Sequence, residues 1–540
     1  MKNRDYPLYE VKKINNLKEL VNFTAEKYGD RPAFTFERKK ETVSISYRQF
    51  KSDVDALGTI LYDLGIQNTK VAVIGENSYE WILTYFAVTN SGNVIVPMDR
   101  ELPAEDVENQ VTNAGAEIFV FSDAYADISA YLQENTVTIR HFINMQCLME
   151  LVEQGGKLIS QGNKHVVDYP IDNHTMCALL YTSGTTGTAK GVMLSHGNLA
   201  SDTVSACQLV MFFGSNMLVL PLHHSFGFTA ACNAVLLHGS EVFINSSLKN
   251  ILADFKEYKP SNLFMVPLLV ESLYKKVWDL AKKQGKDRLL LKLISVSNSL
   301  MRIKIDFRRV IFKSILSAFG GNLKLIVTGG APIDDKYING FRDFGINVLN
   351  GYGITECSPI VSVNRNNYFR DGSVGKVLAC CKVKILEPDE YGHGEICVKG
   401  ENVMLGYFND ECSTKEAFAG EWFRTGDIGY ISEDDFLFIS GRKKNLIILG
   451  NGKNIYPEEL ELKLLSIQYV KEAAVFAEEN TIIAEVFLDP ECGPDCVSRL
   501  SGDILCVNRT LPLFMNISKT VVRDAEFPKT TTKKIKRQYR

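Results

Sequence analysis

Thr182-Ser-Gly-Thr-Thr-Gly-Thr-Ala-Lys-Gly191 follows directly on the apolar run Cys177–Thr182 and packs hydroxyls, three glycines and a lysine into ten residues. Glycine lets the backbone approach an anion and turn consecutive N–H groups toward it. The hydroxyls add donors and Lys190 adds a positive charge. The segment therefore reads as a phosphate loop, with Thr182, Ser183, Gly184, Thr185, Thr186, Gly187 and Lys190 as its contacts. It is not the common nucleotide loop G-x-x-x-x-G-K-[ST]: Lys190 does not follow a glycine, and Gly191 stands where a magnesium-binding hydroxyl would be. The bland alternative is a flexible polar linker. Such linkers rarely combine this glycine spacing with a strand before it and a lysine at its exit.

Upstream of the loop, short β-rich runs alternate with helical patterns. Val71–Gly75, Asn93–Pro97 and Glu117–Ser122 are strand-like, and Ser78–Asn90 and Ala104–Ala114 are helix-like. This alternation predicts a parallel sheet with helices on its faces. Downstream it resumes with strands at Leu218–Leu222, Leu263–Val266 and Leu323–Thr328. After about Ser373 the strands become closely spaced, at Lys382–Leu386, Glu395–Lys399, Gly426–Ile431 and Phe436–Ser440, which predicts an antiparallel, barrel-like module. A small α+β unit follows Asn445, with a helix over Pro457–Ser466. The expected fold is α/β, with a large N-terminal domain over 1–443 and a small α+β domain over 444–540. Arg302–Phe319 reads as one packed helix with a solvated charged stripe. Its alternative is a helix lying on a membrane surface.

Composition removes several classes. The 540 residues are 45% hydrophobic and 23% charged, the balance of a globular chain. A net charge of −4 gives no global field for nucleic acid. Twelve scattered cysteines form no disulfide or metal framework, so the thiols read as reduced and the setting as cytoplasmic. The charged start, Met1 to Lys13, is no signal peptide, and no apolar run is long enough to span a bilayer.

The phosphate loop resembles the TSGTTGxPKG motif of the adenylate-forming superfamily: acyl- and aryl-CoA synthetases, peptide-synthetase adenylation domains and beetle luciferases. Ala189 stands where proline is usual. Five further motifs follow in the family's order, from about residue 30 to the end. Val327-Thr-Gly-Gly-Ala-Pro332 resembles the adenine-side turn, and Asn350-Gly-Tyr-Gly-Ile-Thr-Glu356 the nucleotide and magnesium motif. Thr425-Gly-Asp427 resembles the ribose motif, Gly441-Arg-Lys-Lys444 the hinge, and Phe527-Pro-Lys-Thr-Thr-Thr-Lys-Lys-Ile-Lys-Arg537 the C-terminal lysine motif. Any one alone is weak; six in order are specific.

The resemblance implies ATP, Mg²⁺ and coenzyme A as reactants and cofactor, and it assigns roles that chemistry supports. Gly329, Gly330, Ala331, Pro332, Gly351 and Gly353 shape the adenine and acyl side. Tyr352 offers a face for purine stacking, and Asn350 an amide for the exocyclic amine. Thr355 and Glu356 suit Mg²⁺ beside phosphates, with Glu356 the metal ligand. Asp427 can accept ribose hydroxyls, and Arg442 can bind ribose or α-phosphate. The ordinary readings of these residues are turn packing, a helix cap and an Asx turn. Thr185, Glu356 and Lys534 are the catalytic set implied, and Lys444 is the hinge. Lys533 stands where glycine is usual. Ile535 and Arg537 set the register on Lys534; without the family, Lys529–Arg537 reads as a frayed basic tail.

Pro221-Leu-His-His-Ser-Phe-Gly-Phe228 resembles the acyl-pocket segment, with His224 at the carboxylate gate and His223 as a packed histidine. Pro221–Gly239 holds no carboxylate, so an amino-acid ammonium would be buried unpaired. Phe226, Phe228, Val266 and Leu268 predict an apolar pocket. The helical stretch Glu271–Phe319 and the run Trp422–Glu461 look like the fatty-acid branch. The implied partners are a medium- or long-chain fatty acid and coenzyme A, with peripheral membrane contact as an option. The alternatives are an aryl or other acid–CoA ligase, an acyl-AMP ligase loading an acyl carrier protein, and an inactive nucleotide-binding homologue.

Overall fold

The computed structural model describes residues 5–182, 189–245, 247–449, 453–478, 481–493, 495–529, 535 and 537. Ser183, Gly184, Thr185, Thr186, Gly187, Lys533 and Lys534 lie outside them. The chain divides into two compact units, residues 1–331, 336–382 and 398–423 in one, and 332–335, 383–397 and 424–540 in the other. That division does not fall at Lys444, since residues 424–443 already belong with the C-terminal unit.

The first unit holds two large sheets. In the seven-stranded sheet, His141–Asn144, Ile118–Phe121, Lys70–Ile74, Val94–Pro97 and Met176–Thr182 run parallel in that order. Lys190–Ser195 and Gly406–Tyr407 then add antiparallel to the far edge. Its inner strands are buried on both faces, as Ile118–Phe121 shows, which is why they read as unbroken apolar runs. The nine-stranded sheet has a parallel centre: Leu325–Thr328 lies beside Asn262–Met265, then Ser215–Leu218, Glu241–Ile244 and Pro32–Arg38. Asn347–Gly353 joins Leu325–Thr328 in parallel.

Sequence boundaries are close for Ala104–Ala114 and for Tyr79–Asn90, whose Ser78 hydroxyl accepts from Trp81 N–H as an N-cap. Two expectations are corrected. The strand expected at Leu218–Leu222 is Ser215–Leu218; Val219, Leu220 and Leu222 are buried in the connection that follows. Arg302–Phe319 is not one helix. Asp287–Arg302 ends at its last residue, Lys304 turns at φ +65°, and two short helices follow at Arg308–Ile311 and Lys313–Ala318. Asp306 supplies the restart by accepting from Arg308 N–H at 3.1 Å.

The second unit packs helices Pro457–Leu465 and Asp495–Asn508 on a three-stranded sheet of Val470–Glu478, Thr481–Leu488 and Lys519–Arg523. Its core runs through Leu460, Leu464, Val475, Val486 and Leu500. The antiparallel pair Trp422–Ile431 and Leu437–Arg442 sets Asp427 directly opposite Arg442.

Candidate active site

The phosphate loop is closed by a hairpin rather than by a strand-to-helix turn. Thr182 pairs with Lys190 across antiparallel strands. Lys190 Nζ donates to Ser413 Oγ at 2.8 Å and lies 5.0 Å above the Tyr407 ring. Tyr407 in turn donates its hydroxyl to Glu356 Oε1 at 2.9 Å. The backbone carbonyl of Glu356 accepts from Met404 N–H at 2.9 Å, which fixes the short turn Thr355–Cys357 that carries the carboxylate. Burial, with Glu356 beside it, pushes the Tyr407 hydroxyl well above its ordinary range. It therefore stays a neutral donor at any working pH. Tyr407 is absent from the sequence assignments. Its tie to Glu356 spans 51 residues, and nothing local in Gly406-Tyr407-Phe408 signals it.

Gly353 and Gly329 in the adenine-side motifs let backbone segments pack closely where a side chain would collide. A Cβ on Gly353 would lie 2.0 Å from the Pro359 carbonyl oxygen, and one on Gly329 2.9 Å from that of Gly351. Gly330 turns at φ +84°. Asn350-Gly-Tyr-Gly353 is the end of strand Asn347–Gly353, not a free turn. Asn350 Nδ2 donates to Ser373 O at 3.4 Å, and its buried Oδ1 has no hydrogen-bond partner among the described residues. An unmade acceptor beside this glycine cradle fits an adenine amine.

Beside it lies a narrow apolar cavity of about 80 Å³. Val210, Phe212, Phe226, Phe264 and Val327 form its greasy wall, and Gly329, Gly330 and Tyr352 its polar end. Among the described residues Thr328 Oγ1 also has no hydrogen-bond partner. Three residues assigned to the pocket, Phe228, Val266 and Leu268, lie outside this cavity. Phe228 does not line this cavity; it is buried against Tyr85, with ring centroids 3.6 Å apart, and against Trp81 and Phe86. The wall is instead built from Phe226, Ala230 and Ala234, which share one face of the helical segment at i, i+4 and i+8. Val266 caps the helix Pro267–Lys283 and is partly exposed, and Leu268 is exposed on that helix.

His224 stands next to His223 rather than among the cavity-lining residues, with ring centroids 4.2 Å apart. His223 is packed as the sequence suggests: its Nε2 lies 3.3 Å from Asp99 Oδ1, and burial with His224 lowers it to about 3, so it is a neutral imidazole. Asp99, His223 and His224 bring three potential ligand atoms within 4.8 Å of one another. Glu356 offers a hard carboxylate oxygen of the kind Mg²⁺ takes, and Tyr407 donates to its Oε1.

The second unit carries the remaining residues. Asp427, almost fully buried, pairs with Arg442 Nε at 2.8 Å, and its backbone N–H donates to Thr425 Oγ1 at 3.0 Å. Gly426 at φ +68° makes that turn. Lys444 lies in a short turn, Lys443–Asn445, and burial beside Arg442 and Arg537 lowers its pKa. Pro332 belongs to this unit, and Ala331 to the first.

The family model described as AMP-binding enzyme matches residues 21–408. The chain is 28% identical to long-chain-fatty-acid–CoA ligase FadD15 of Mycobacterium tuberculosis, over 87% of this chain and 84% of the relative. It is 27% identical to long-chain-fatty-acid–CoA ligase 1 of Cavia porcellus, over 83% and 70%. Among solved structures, O-succinylbenzoate coenzyme A synthetase of Bacillus subtilis with ATP and magnesium superposes with a TM-score of 0.74 at 22% identity, over 96% of this chain and 98% of that one. A Mycobacterium tuberculosis fatty acyl CoA synthetase gives 0.67 at 21%, over 96% of each. At these identities the structural likeness speaks for the fold.

Proposed function

Because the chain belongs to the AMP-binding enzyme family, we propose that it activates a medium- or long-chain fatty acid as the acyl-adenylate and transfers the acyl group to coenzyme A. At the coarser level it is an AMP-forming acid–coenzyme A ligase that uses ATP, Mg²⁺ and coenzyme A. The fatty-acid reading is carried by one observation above the others: the cavity that reaches the Gly329–Gly330 turn is walled by phenylalanine, valine and alanine, with no charged side chain among its lining residues. The names of the relatives, long-chain-fatty-acid ligases, agree. At about 80 Å³ the cavity holds the volume of only a few water molecules, so its walls must part for a long tail.

In the first half-reaction a carboxylate oxygen attacks the α-phosphorus and the bond to pyrophosphate breaks. Two anions meet, so the site must neutralise developing charge. Asn350 accepts from the adenine amine through its unmade Oδ1, and Tyr352 lies against the ring. Asp427 accepts ribose hydroxyls, with Arg442 holding it in place. Glu356, oriented by Tyr407, would hold Mg²⁺, which supplies Lewis-acid stabilisation of the phosphate oxygens. Thr182 to Thr186, Lys190 and Lys534 supply donors and positive charge. In the second half-reaction the coenzyme A sulfur attacks the acyl carbon and AMP leaves. A hinge at Lys444 would withdraw Lys534 and open the thiol path. Twelve free cysteines suit a reducing, cytoplasmic setting.

The test is thioester formation with a panel of acids. The expected order places octanoate to palmitate above benzoate, o-succinylbenzoate and amino acids in kcat/KM. A reversed order overturns the fatty-acid reading. Transfer to an acyl carrier protein but not to coenzyme A would favour the acyl-AMP ligase instead.

A further inference from the structure

The segment between the acyl cavity and the adenine-side turn has a surface that catalysis does not use. From 267 to 313 it carries twelve Lys and Arg against four Asp and Glu, a local charge of +8 in a chain of net −4. On the helix Asp287–Arg302, Leu290 and Ser297 are buried. Beside that buried stripe runs a second apolar one, Leu289, Leu293, Val296, Leu300 and Ile303, at spacings of four and three. Leu289 is 53% exposed, Val296 54% and Ile303 65%. Past the helix, Phe307 and Val310 are also exposed, Val310 at 71%.

This exposure is not the result of a loose segment. Arg308 donates to the Arg342 carbonyl at 2.7 Å, and Arg309 donates to the carbonyls of Leu323 and Gly321 at 2.8 Å each. These two arginines pin the chain inward and leave Phe307 and Val310 outward. Lys282, Lys283, Lys286, Arg288, Lys292 and Lys304 stay exposed around the stripe.

We propose that this face is a docking surface for an anionic lipid bilayer. Charge decides between the occupants. A second copy would set exposed lysines against exposed lysines, whereas anionic headgroups complement them. The apolar exposure is also broader than one seam, since Leu280, Phe307 and Val310 lie off the stripe, and exposed apolar residues rimmed by lysine suit insertion at the headgroup boundary. The physiological sense of the surface, delivery of a membrane-partitioned acid, rests on the fatty-acid reading. Binding itself is read without turnover, so the two can fail separately.

The experiment is flotation of the full chain with vesicles of phosphatidylcholine alone and with added phosphatidylglycerol, at low and high salt. Binding is expected only with phosphatidylglycerol and is expected to fall with salt. Replacing three of the lysines, Lys282→Gln, Lys283→Gln and Lys286→Gln, should weaken partitioning by about a hundredfold. Val296→Glu with Ile303→Glu should abolish it while leaving thioester formation from a water-soluble acid unchanged. That second readout shows the variant is folded. No flotation, flotation equal on neutral vesicles, or a wild-type dimer in sedimentation that Val296→Glu dissolves would each overturn the proposal, the last in favour of a protein partner.

Discussion

Replacing Tyr407 by phenylalanine removes one oxygen and tests whether Glu356 works as an oriented ligand. The hydroxyl donates to Glu356 Oε1 at 2.9 Å, a bond to a charged acceptor in a half-buried setting. Such bonds contribute roughly 1.5–3 kcal/mol. If Glu356 must keep this rotamer to hold Mg²⁺, the loss appears as roughly a 10- to 150-fold fall in acid-dependent ATP–pyrophosphate exchange at limiting Mg²⁺. Excess Mg²⁺ should recover part of it, because a misaligned carboxylate still attracts the ion. Phenylalanine keeps the ring under Lys190 Nζ, 5.0 Å away. Tyr407→Ala removes that as well, for a further loss of about 0.5–1 kcal/mol. The Tyr407 hydroxyl is pushed well above its ordinary range, so wild type and Tyr407→Phe should share one pH profile. Exchange by Tyr407→Phe that matches wild type at limiting Mg²⁺ would refute the positioning role. A defect in Tyr407→Ala alone would move the role from the hydroxyl to the ring.

Three further outcomes follow from particular contacts. Gly353→Ala sets a Cβ 2.0 Å from the Pro359 carbonyl oxygen, backbone that cannot swing away, so thermal melts should show a loss of about 2 kcal/mol or more and ATP should bind poorly; an unchanged Tm refutes the overlap. Phe226→Ala enlarges the cavity end to which Ala230 and Ala234 contribute, and should shift the optimum in the acid panel toward longer chains, measured as kcat/KM; a shift toward shorter acids would mean the tail lies elsewhere. Arg537 donates to both Glu461 oxygens, at 2.6 and 2.5 Å, while burial pushes Glu461 up to about 7. A carboxyl raised above its unfolded value binds its proton more tightly in the native state, so its contribution to stability falls as pH rises from the ordinary carboxyl range to about 7. Arg537→Met removes the counter-charge, so its melting penalty should be larger at about pH 8 than at about pH 6, by about 1 kcal/mol; an equal penalty at both would count against an ionised pair.

What was readable in the sequence follows from what each signal measures. Parallel strands buried on both faces write themselves as apolar runs, so Lys70–Ile74, Val94–Pro97 and Ile118–Phe121 were placed within a residue or two. The same signal misled at Leu218–Leu222, because burial continues past the last ladder bond into the connection. The helix expected over Arg302–Phe319 failed because apolar spacing does not see a positive φ at Lys304 or a carboxylate that restarts the chain at Arg308. Phe226 and Phe228 are equivalent as letters. On one helical segment residues two apart face nearly opposite ways, so one lines the cavity and the other is consumed by Tyr85. Tyr407 was invisible because its meaning lies in a partner 51 residues away.

The C-terminal lysine motif joins the two kinds of evidence. As a bare sequence, Lys529–Arg537 is a run of basic and hydroxyl residues that charge patterning alone assigns to a frayed tail. The flanks argue otherwise. Phe527 is buried and its N–H donates to Glu472 Oε2 at 2.8 Å; Lys529 pairs with Glu472 and Glu526. Lys529 and Ile535 form an antiparallel bridge, and Ile535 packs against Ala474, Phe487 and Phe527. Two residues on, Arg537 closes on Glu461 of the helix that begins just after the hinge segment, and Glu458 of that helix accepts from Asn445. The anchoring residues are the same Ile535 and Arg537 that set the register of the motif in the sequence. A role for Lys534 in the first half-reaction therefore predicts that a change at Arg537 lowers acid-dependent pyrophosphate exchange without any contact to substrate.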